Sequence, residues 1–243
     1  LLFKRMGQWA DQIITISEYS ADEIEEHFSI PRSQISVIPL GVDEKCFSRV
    51  SQETKDAVLS RYNLVPEYFV CIGTLQPRKN ITRLLDAFLQ LPEELQRRHP
   101  LVIIGRNGWN CESLIERLNK LKTSNRVFWL DYVSFEDKYA LIQSSLAMVF
   151  PSLYEGFGLP LLEAFASDIP VITSNITSLP EVAADAAILI DPYSIDDISQ
   201  AMLNIATDDA LQSKMRILGQ ERVKSFSWRN TAEQTASIYR QML

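Results

Sequence analysis

Short runs of apolar, often β-branched residues alternate along this chain with longer segments in which apolar residues recur every three or four positions. Most of the short runs are apolar throughout, which is typical of strands covered on both faces of a parallel sheet. Strands are predicted at Gln12–Ser17, Ile35–Ile38, Tyr68–Gly73, Leu101–Gly105, Val127–Leu130, Ala147–Phe150, Pro170–Thr173 and Ala187–Ile190.

The longer segments between these runs are predicted to be helices. Ile81–Leu89, Glu112–Lys122 and Phe135–Ser144 each place apolar residues on one helical face. Ser134 and Asp137 form a capping box at the start of the third segment. The regular alternation of strand and helix predicts an α/β fold with a doubly wound, Rossmann-like parallel sheet.

In such a sheet, ligands collect at the carboxyl ends of the strands. Four loops of this kind carry polar residues or glycines: residues 73–80, 105–108, 131–133 and 151–158. Because parallel strands end at the same edge of the sheet, these four loops are expected to line one crevice.

The first 43 residues differ in pattern from the rest of the chain. They contain one predicted strand-helix-strand unit, and Pro39 and Gly41 behind it mark a bend or hinge. Leu1–Met6 resembles the middle of a helix. Residues 1–43 are therefore expected to be the tail of a preceding domain and a linker, within a protein longer than this chain.

Composition and charge exclude several classes of function. The net charge of −7 disfavours a general nucleic-acid binder, because affinity for a phosphate backbone needs many lysines and arginines. No apolar stretch approaches the roughly 18–20 residues that span a bilayer. The apolar content of 46% is enough to build a sizeable core.

The sulfur and imidazole side chains predict neither a disulfide framework nor a zinc site. Cys46, Cys71 and Cys111 are odd in number and widely spaced, which favours reduced thiols. His27 and His99 are isolated from any cluster with ligand spacing.

The segment from Glu155 to Ala164 is the richest in candidate chemistry. Its glycines and Pro160 prevent a helix from beginning before Leu159, so Glu155 lies in a tight loop. Glu163 then falls on the first turns of a helix that has Pro160 at its first position. A carboxylate accepts hydrogen bonds from sugar hydroxyls, and a helix N-terminus attracts phosphate. The alternative is a plain glycine-rich turn with surface glutamates.

Weaker candidates lie in the other loops. Arg78 and Lys79 can neutralise a diphosphate, or they form an ordinary solvated basic turn. Arg106 can contact phosphate or ribose, or stay exposed. Tyr132 and Val133 can hold a base edge, although Tyr132 can also simply pack. Residues 173–175 can line the sugar side or cap the next helix.

Together these segments resemble the C-terminal, donor-binding domain of the family 4 glycosyltransferases, which are retaining enzymes with the GT-B fold. The resemblance extends from about Ala10 to Trp228. It implies a donor-binding domain over residues 44–228 and a C-terminal helix over 229–243 that crosses back to the N-terminal domain. The matching segments are residues 37–43, 73–80, 151–164 and 226–228.

The resemblance also implies roles for single residues. Glu155 would contact the donor sugar, and Glu163 would contact the ribose hydroxyls. Arg78 and Lys79 would bind the diphosphate. The implied catalytic set is Glu155, Lys79 and Arg78. Leu159 would offer a backbone N–H to phosphate. The implied donor-binding set is Gly73, Thr74, Arg78, Lys79, Arg106, Tyr132, Val133, Glu155, Gly156, Phe157, Gly158, Leu159 and Glu163.

No metal or other cofactor is implied, and the site loops contain no Asp-x-Asp motif. The resemblance implies transfer with retention, in which the donor phosphate helps to deprotonate the acceptor. Thr74 stands where many relatives have arginine, so phosphate binding is expected to depend on Arg78 and Lys79. Asp131 stands where many have glycine, which alters the base pocket.

The form of residues 77–80 resembles a branch rich in mannosyltransferases of surface polysaccharide assembly. It favours GDP-mannose as the donor, with a glucose donor next, and a saccharide or lipid-linked acceptor. The expected location is the cytoplasm, with peripheral contact of the full-length protein at the inner face of the membrane.

The acceptor-binding N-terminal domain is almost wholly missing from the sequence, so this chain is expected to bind donor but to be inactive alone. Two alternatives remain open: a sugar-nucleotide epimerase of the same fold and a non-catalytic nucleotide-sugar-binding module. A glycosidase is disfavoured, because phosphate-binding features surround the two glutamates.

Overall fold

The computed structural model describes Gly7 and residues 9–242. Eight strands lie within these residues, and each predicted strand is present with its ends shifted by at most two residues. The expected helical segment Leu1–Met6 lies outside the described residues. The strands are β1 (Ile13–Thr15), β2 (Ile35–Val37), β3 (Tyr68–Ile72), β4 (Leu101–Ile104), β5 (Val127–Leu130), β6 (Ser145–Phe150), β7 (Val171–Ser174) and β8 (Ile188–Ile190).

Helices connect the strands. The three helices predicted explicitly are present, each with its C-terminal end shifted by one residue, and the Ser134 hydroxyl caps one of them by accepting from the Asp137 N–H. In the described part of the chain the helices are α1 (Glu18–Phe28), α2 (Gln52–Tyr62), α3 (Ile81–Gln90), α4 (Glu93–Arg98), α5 (Glu112–Leu121), α6 (Phe135–Gln143), α7 (Leu159–Ala166), α8 (Leu179–Ala183), α9 (Ile195–Thr207), α10 (Asp209–Val223) and α11 (Trp228–Gln241).

The larger sheet confirms the predicted doubly wound architecture. Its six strands are all parallel and follow the order β5-β4-β3-β6-β7-β8. The order reverses between β3 and β6, so the connections from these two neighbours leave in opposite directions. A crevice opens at such a reversal, beyond the carboxyl ends of the strands.

Both faces of this sheet are buried, as the apolar runs predict. Along β3, Tyr68 and Val70 pack into one core, while Phe69 and Cys71 pack into another core on the opposite face. Successive side chains of a strand point to opposite faces, so a strand buried on both sides, such as β4, can carry apolar residues at consecutive positions.

The smaller sheet consists of β1 and β2, which pair in parallel and are connected by α1. This unit has a small core of its own around Ala21, Ile30 and Ile35. The chain then enters the larger sheet domain through residues 38–43. The domain boundaries given above stay a prediction.

Cys46, Cys71 and Cys111 are buried free thiols, in agreement with the sequence prediction. Throughout the described residues, the helices fall short of the length and apolar character needed to cross a lipid bilayer.

Candidate functional site

Two loops meet at the point where the strand order reverses. Residues 73–80 follow β3, and residues 151–158 follow β6. The buried Asn80 side chain donates to the carbonyl oxygens of Pro151 (3.0 Å) and Pro192 (2.6 Å). The Leu153 N–H donates to the Arg78 carbonyl at 2.7 Å. These bonds fix the two loops to each other and define one edge of the crevice.

An ion cluster lies where these loops meet. Glu155 Oε1 is 2.7 Å from Lys79 Nζ and 2.7 Å from Arg78 Nη1. The Arg78 guanidinium also donates to the Tyr154 carbonyl at 3.0 Å. The structure therefore brings together the three residues predicted to form the catalytic set.

The position of Lys79 explains why glycine follows β3. The lysine side chain is 9% exposed, and its ammonium lies 4.5 Å from the centre of the Phe150 ring. A Cβ atom at Gly73 would stand 3.0 Å from Lys79 Cε. Gly73 thus leaves the space through which the lysine reaches Glu155, and the aromatic face helps to stabilise a cation that has lost most of its water.

The glycine-rich loop after β6 turns sharply into α7. Gly158 has a φ of +124°, and a Cβ there would lie 3.0 Å from Leu179 Cδ2. Helix α7 begins at Leu159, as predicted, but Pro160 is the second residue of the helix and not the first. Gly158 provides no side-chain cap for α7, which leaves backbone N–H groups for a ligand at this end.

Two serine side chains also stabilise the loop after β6, by donating hydrogen bonds to its backbone carbonyls. The Ser178 hydroxyl lies 2.8 Å from the Glu155 carbonyl and 2.9 Å from the Phe157 carbonyl. The Ser17 hydroxyl, from the β1-α1-β2 unit, donates to the Gly156 carbonyl at 2.8 Å. Sequence reasoning missed both serines: Ser17 was predicted to end a strand, and the partners of both hydroxyls lie 139 and 23 residues away in the chain.

Glu163 has a different partner. Its Oε1 lies 2.6 Å from Lys138 Nζ on α6, and both side chains are about one-fifth exposed, at 19% and 21%. Lys138 was not among the predicted site residues. The two glutamates thus sit on one loop-helix unit, each held by a lysine from a different element.

The remaining predicted residues lie around the crevice. The Arg106 guanidinium stacks 4.6 Å from the centre of the exposed Tyr132 ring. The Leu75 N–H donates to the Arg106 carbonyl at 2.9 Å, so the loop after β4 is attached to the loop after β3. Thr74 is exposed at this junction, and Val133 is half-buried against the core. Their contacts with a ligand stay predictions.

Burial limits what two of the predicted segments can offer a ligand. The Phe157 side chain is buried and packs edge-to-face on Phe226 with ring centres 5.9 Å apart, which agrees with the expected role of its backbone groups alone. Thr173 and Ser174 belong to β7 and donate to the carbonyls of Phe150 and Ser152. These two hydroxyls brace the loop after β6, so they neither line the sugar side nor cap the next helix.

Comparison with known proteins places this chain in a family. Residues 55–222 match the model of the glycosyl transferases group 1, and residues 1–45 match that of glycosyltransferase family 4. The chain belongs to the group 1 glycosyl transferases. The Rossmann-like sheet with its crevice is the C-terminal half of the GT-B fold that the solved structures of related glycosyltransferases share.

The relatives of this glycosyl transferase include bacterial mannosyltransferases. It is 38% identical to O-antigen chain mannosyltransferase B of Escherichia coli over 95% of this chain and 61% of the relative. It is 31% identical to the MMP alpha-(1->4)-mannosyltransferase of Mycolicibacterium hassiacum over 97% of this chain and 55% of the relative. The chain thus spans a little over half the length of these two relatives.

A solved structure of low sequence identity has the same fold. The crystal structure of Anabaena HepE in complex with UDP and glucose superposes with a TM-score of 0.83, over 96% of this chain and 64% of that one. The sequence identity is only 17%, so the likeness is one of fold.

Proposed function

We propose that this chain forms the donor-binding half of a retaining hexosyltransferase that uses a nucleotide-diphosphate sugar. One observation carries the proposal: Lys79, Arg78 and Glu155 converge at the reversal point of the sheet, beside the N-terminus of α7. Two cations share one carboxylate, so the cluster has one net positive charge. A diphosphate can neutralise that charge.

The same cluster can hold a sugar. Both ion pairs of Glu155 use Oε1, so Oε2 can accept a hydrogen bond from a sugar hydroxyl. Glu163 uses Oε1 for Lys138 and can offer Oε2 to the ribose hydroxyls. The order along the unit is then sugar at Glu155, diphosphate at Leu159 and ribose at Glu163.

The chemistry follows from this order. Lys79 and Arg78 stabilise the negative charge that grows on the leaving diphosphate as the bond to the sugar breaks. The retained configuration and the role of the donor phosphate in deprotonating the acceptor are part of the proposal. So is independence from a metal, because the two cations supply the positive charge.

Mannose is the proposed hexose, with glucose next. The proposal is supported by the names of the relatives, of which one belongs to O-antigen chains. The proposed reaction takes mannose from GDP-mannose to a saccharide or lipid-linked acceptor of a surface polysaccharide, in the cytoplasm at the inner face of the membrane. The acceptor site belongs to the part of the protein that precedes this chain.

A thermal-shift panel with GDP, UDP, GDP-mannose and UDP-glucose tests the donor site, because a ligand that binds the folded state raises its melting temperature. We expect the largest rise with the two guanosine ligands. Glu163→Ala should remove most of that rise, while Glu116→Ala, which removes the exposed partner of Lys120, should keep it. A chain that none of the four ligands stabilises contradicts the proposal.

A transfer assay tests the division of labour. The 243 residues should hydrolyse or transfer little or no sugar from the best donor, although they bind it. Full transferase activity of this chain alone would refute the assignment of the acceptor site to a separate domain.

A further inference from the structure

A cavity of about 220 Å³ lies at the opposite edge of the large sheet from the crevice. It is lined by Ser145 at the amino end of β6 and by Ile169, just before β7. Helix α7 runs between the two edges: it begins beside the glycine-rich loop and ends at Ala166, which also lines the cavity. Eight helical residues separate the two sites by roughly 12 Å. The cavity is therefore distinct from the proposed donor site.

The cavity has a positively charged wall. Its ionisable lining residues are Arg49, Lys55, Asp168 and Arg216. Asp168 pairs with the largely exposed Arg49 at 3.3 Å. Among the ion pairs of the described residues, neither Lys55 nor Arg216 takes part in any. Three cations against one carboxylate leave two net positive charges.

Two polar groups in the same wall lack a hydrogen-bond partner. The Ser167 hydroxyl is buried, with the residue 6% exposed, and the Nε of Arg216 is buried as well. Neither atom has a partner in the described structure. A buried donor without an acceptor costs about 1–3 kcal/mol, so a ligand whose oxygen atoms reached these two donors would stabilise the protein.

We propose that this cavity binds the phosphate group of a small phosphorylated molecule. A phosphate monoester carries nearly two negative charges at neutral pH and three strong acceptor oxygens, which match the net charge and the two donors. The guanidinium of Arg216 supplies a planar set of donors suited to phosphate, with Lys55 as a second point charge. A monocarboxylate would neutralise only one of the two net positive charges of the cavity wall.

A titration followed by NMR tests the site directly. The ¹⁵N-labelled chain is titrated with sodium phosphate, with sodium chloride at the same ionic strength as the reference. We expect the backbone amide signals of Ser167 and Asp168 to shift in a saturable way with phosphate and not with chloride. Shifts confined to residues 155–159 in the crevice, or an absence of saturation, would overturn the proposal.

Variants then test which positively charged side chains bind the phosphate. Arg216→Gln should raise the phosphate Kd read at Ser167 at least about tenfold, because a charge-assisted hydrogen bond is lost. Lys55→Gln, in a half-buried position, tests the same wall if the first variant folds poorly. Arg97→Gln is the matched control, since it removes an exposed arginine that pairs with Glu93 of its own helix. An unchanged Kd in both cavity variants contradicts the assignment.

Discussion

Lys79 Nζ lies 2.7 Å from Glu155 Oε1, and the two side chains are only 9% and 12% exposed. One residue follows β3 and the other follows β6, so the pair joins the two loops on either side of the strand reversal. Lys79 depends on this pair, because without Glu155 its ammonium would be a buried charge without compensation, whereas Glu155 also pairs with Arg78.

Replacement of Lys79 by methionine should therefore weaken both binding and folding. The variant loses one charge-assisted hydrogen bond but leaves Glu155 with Arg78 as its cation, so we expect the free energy of unfolding to fall by about 2 kcal/mol. Affinity for GDP should fall by at least about tenfold. Urea unfolding and isothermal titration measure the two effects.

Lys120→Met is the matched control for this variant. Its ammonium also lies 2.7 Å from a glutamate, Glu116, but the side chains are 72% and 67% exposed. Stability should change by less than about 1 kcal/mol, because solvent screens such a pair. Equal losses in the two variants would show that burial does not set the strength of the Lys79 pair.

Glu163→Gln separates ribose recognition from diphosphate recognition. The amide keeps the shape of the side chain but is a weaker acceptor for the two ribose hydroxyls. The Kd for GDP should rise at least about tenfold, while the Kd for inorganic pyrophosphate should not rise. Isothermal titration with GDP and with pyrophosphate measures both Kd values. An equal loss of affinity for the two ligands would contradict the ribose assignment.

Gly158→Ala tests the turn into α7. The φ of +124° is a region that L residues rarely adopt, and the new methyl group would press on Leu179. We expect a loss of about 1–3 kcal/mol in unfolding free energy, measured by urea denaturation. Gly156→Ala serves as the control, because its Cβ would meet its nearest neighbour, the Ser20 hydroxyl, at an ordinary 3.7 Å. If both variants lost the same stability, backbone strain at Gly158 would not be the cause.

Alkaline pH should destabilise the fold through Cys71. Burial raises the pKa of this thiol from 9.0 to about 12, so the folded state keeps a proton that the unfolded state loses. The resulting stabilisation is fully present below pH 9 and is lost as pH rises towards 12. The free energy of unfolding, measured by urea denaturation between pH 8 and pH 11, should fall more steeply for this chain than for Cys71→Ala, by up to about 1.4 kcal/mol per pH unit. Equal slopes would contradict this expectation.

Local sequence patterns predicted much of the architecture. The apolar runs located each strand of the described residues, most clearly β3 and β4, which are buried on both faces and carry apolar side chains at consecutive positions. Their ends were less accurate: the run Gln12–Ser17 contains a strand of three residues, since Ser17 instead caps α1. A periodic pattern of apolar residues cannot predict whether a polar residue at the boundary belongs to the strand or caps the next helix.

Contacts across long stretches of chain could not be predicted in this way. Lys138 and Glu163 lie 25 residues apart on two helices, and Ser178 reaches back 23 residues to the Glu155 carbonyl. The spacing of residues within a single helix or loop predicts neither of these contacts. The convergence of Arg78 and Lys79 with Glu155 was predictable, because sheet topology alone places both loops at one edge.

The contact between Gly41 and Trp228 has a consequence for motion. A Cβ at Gly41 would stand 2.0 Å from the Trp228 nitrogen, and Val42 bridges Ser227. The backbone entering the large domain and the backbone leaving it therefore travel side by side and cannot bend independently. A rotation of the β1-α1-β2 unit about residues 38–43 would therefore also displace the start of α11.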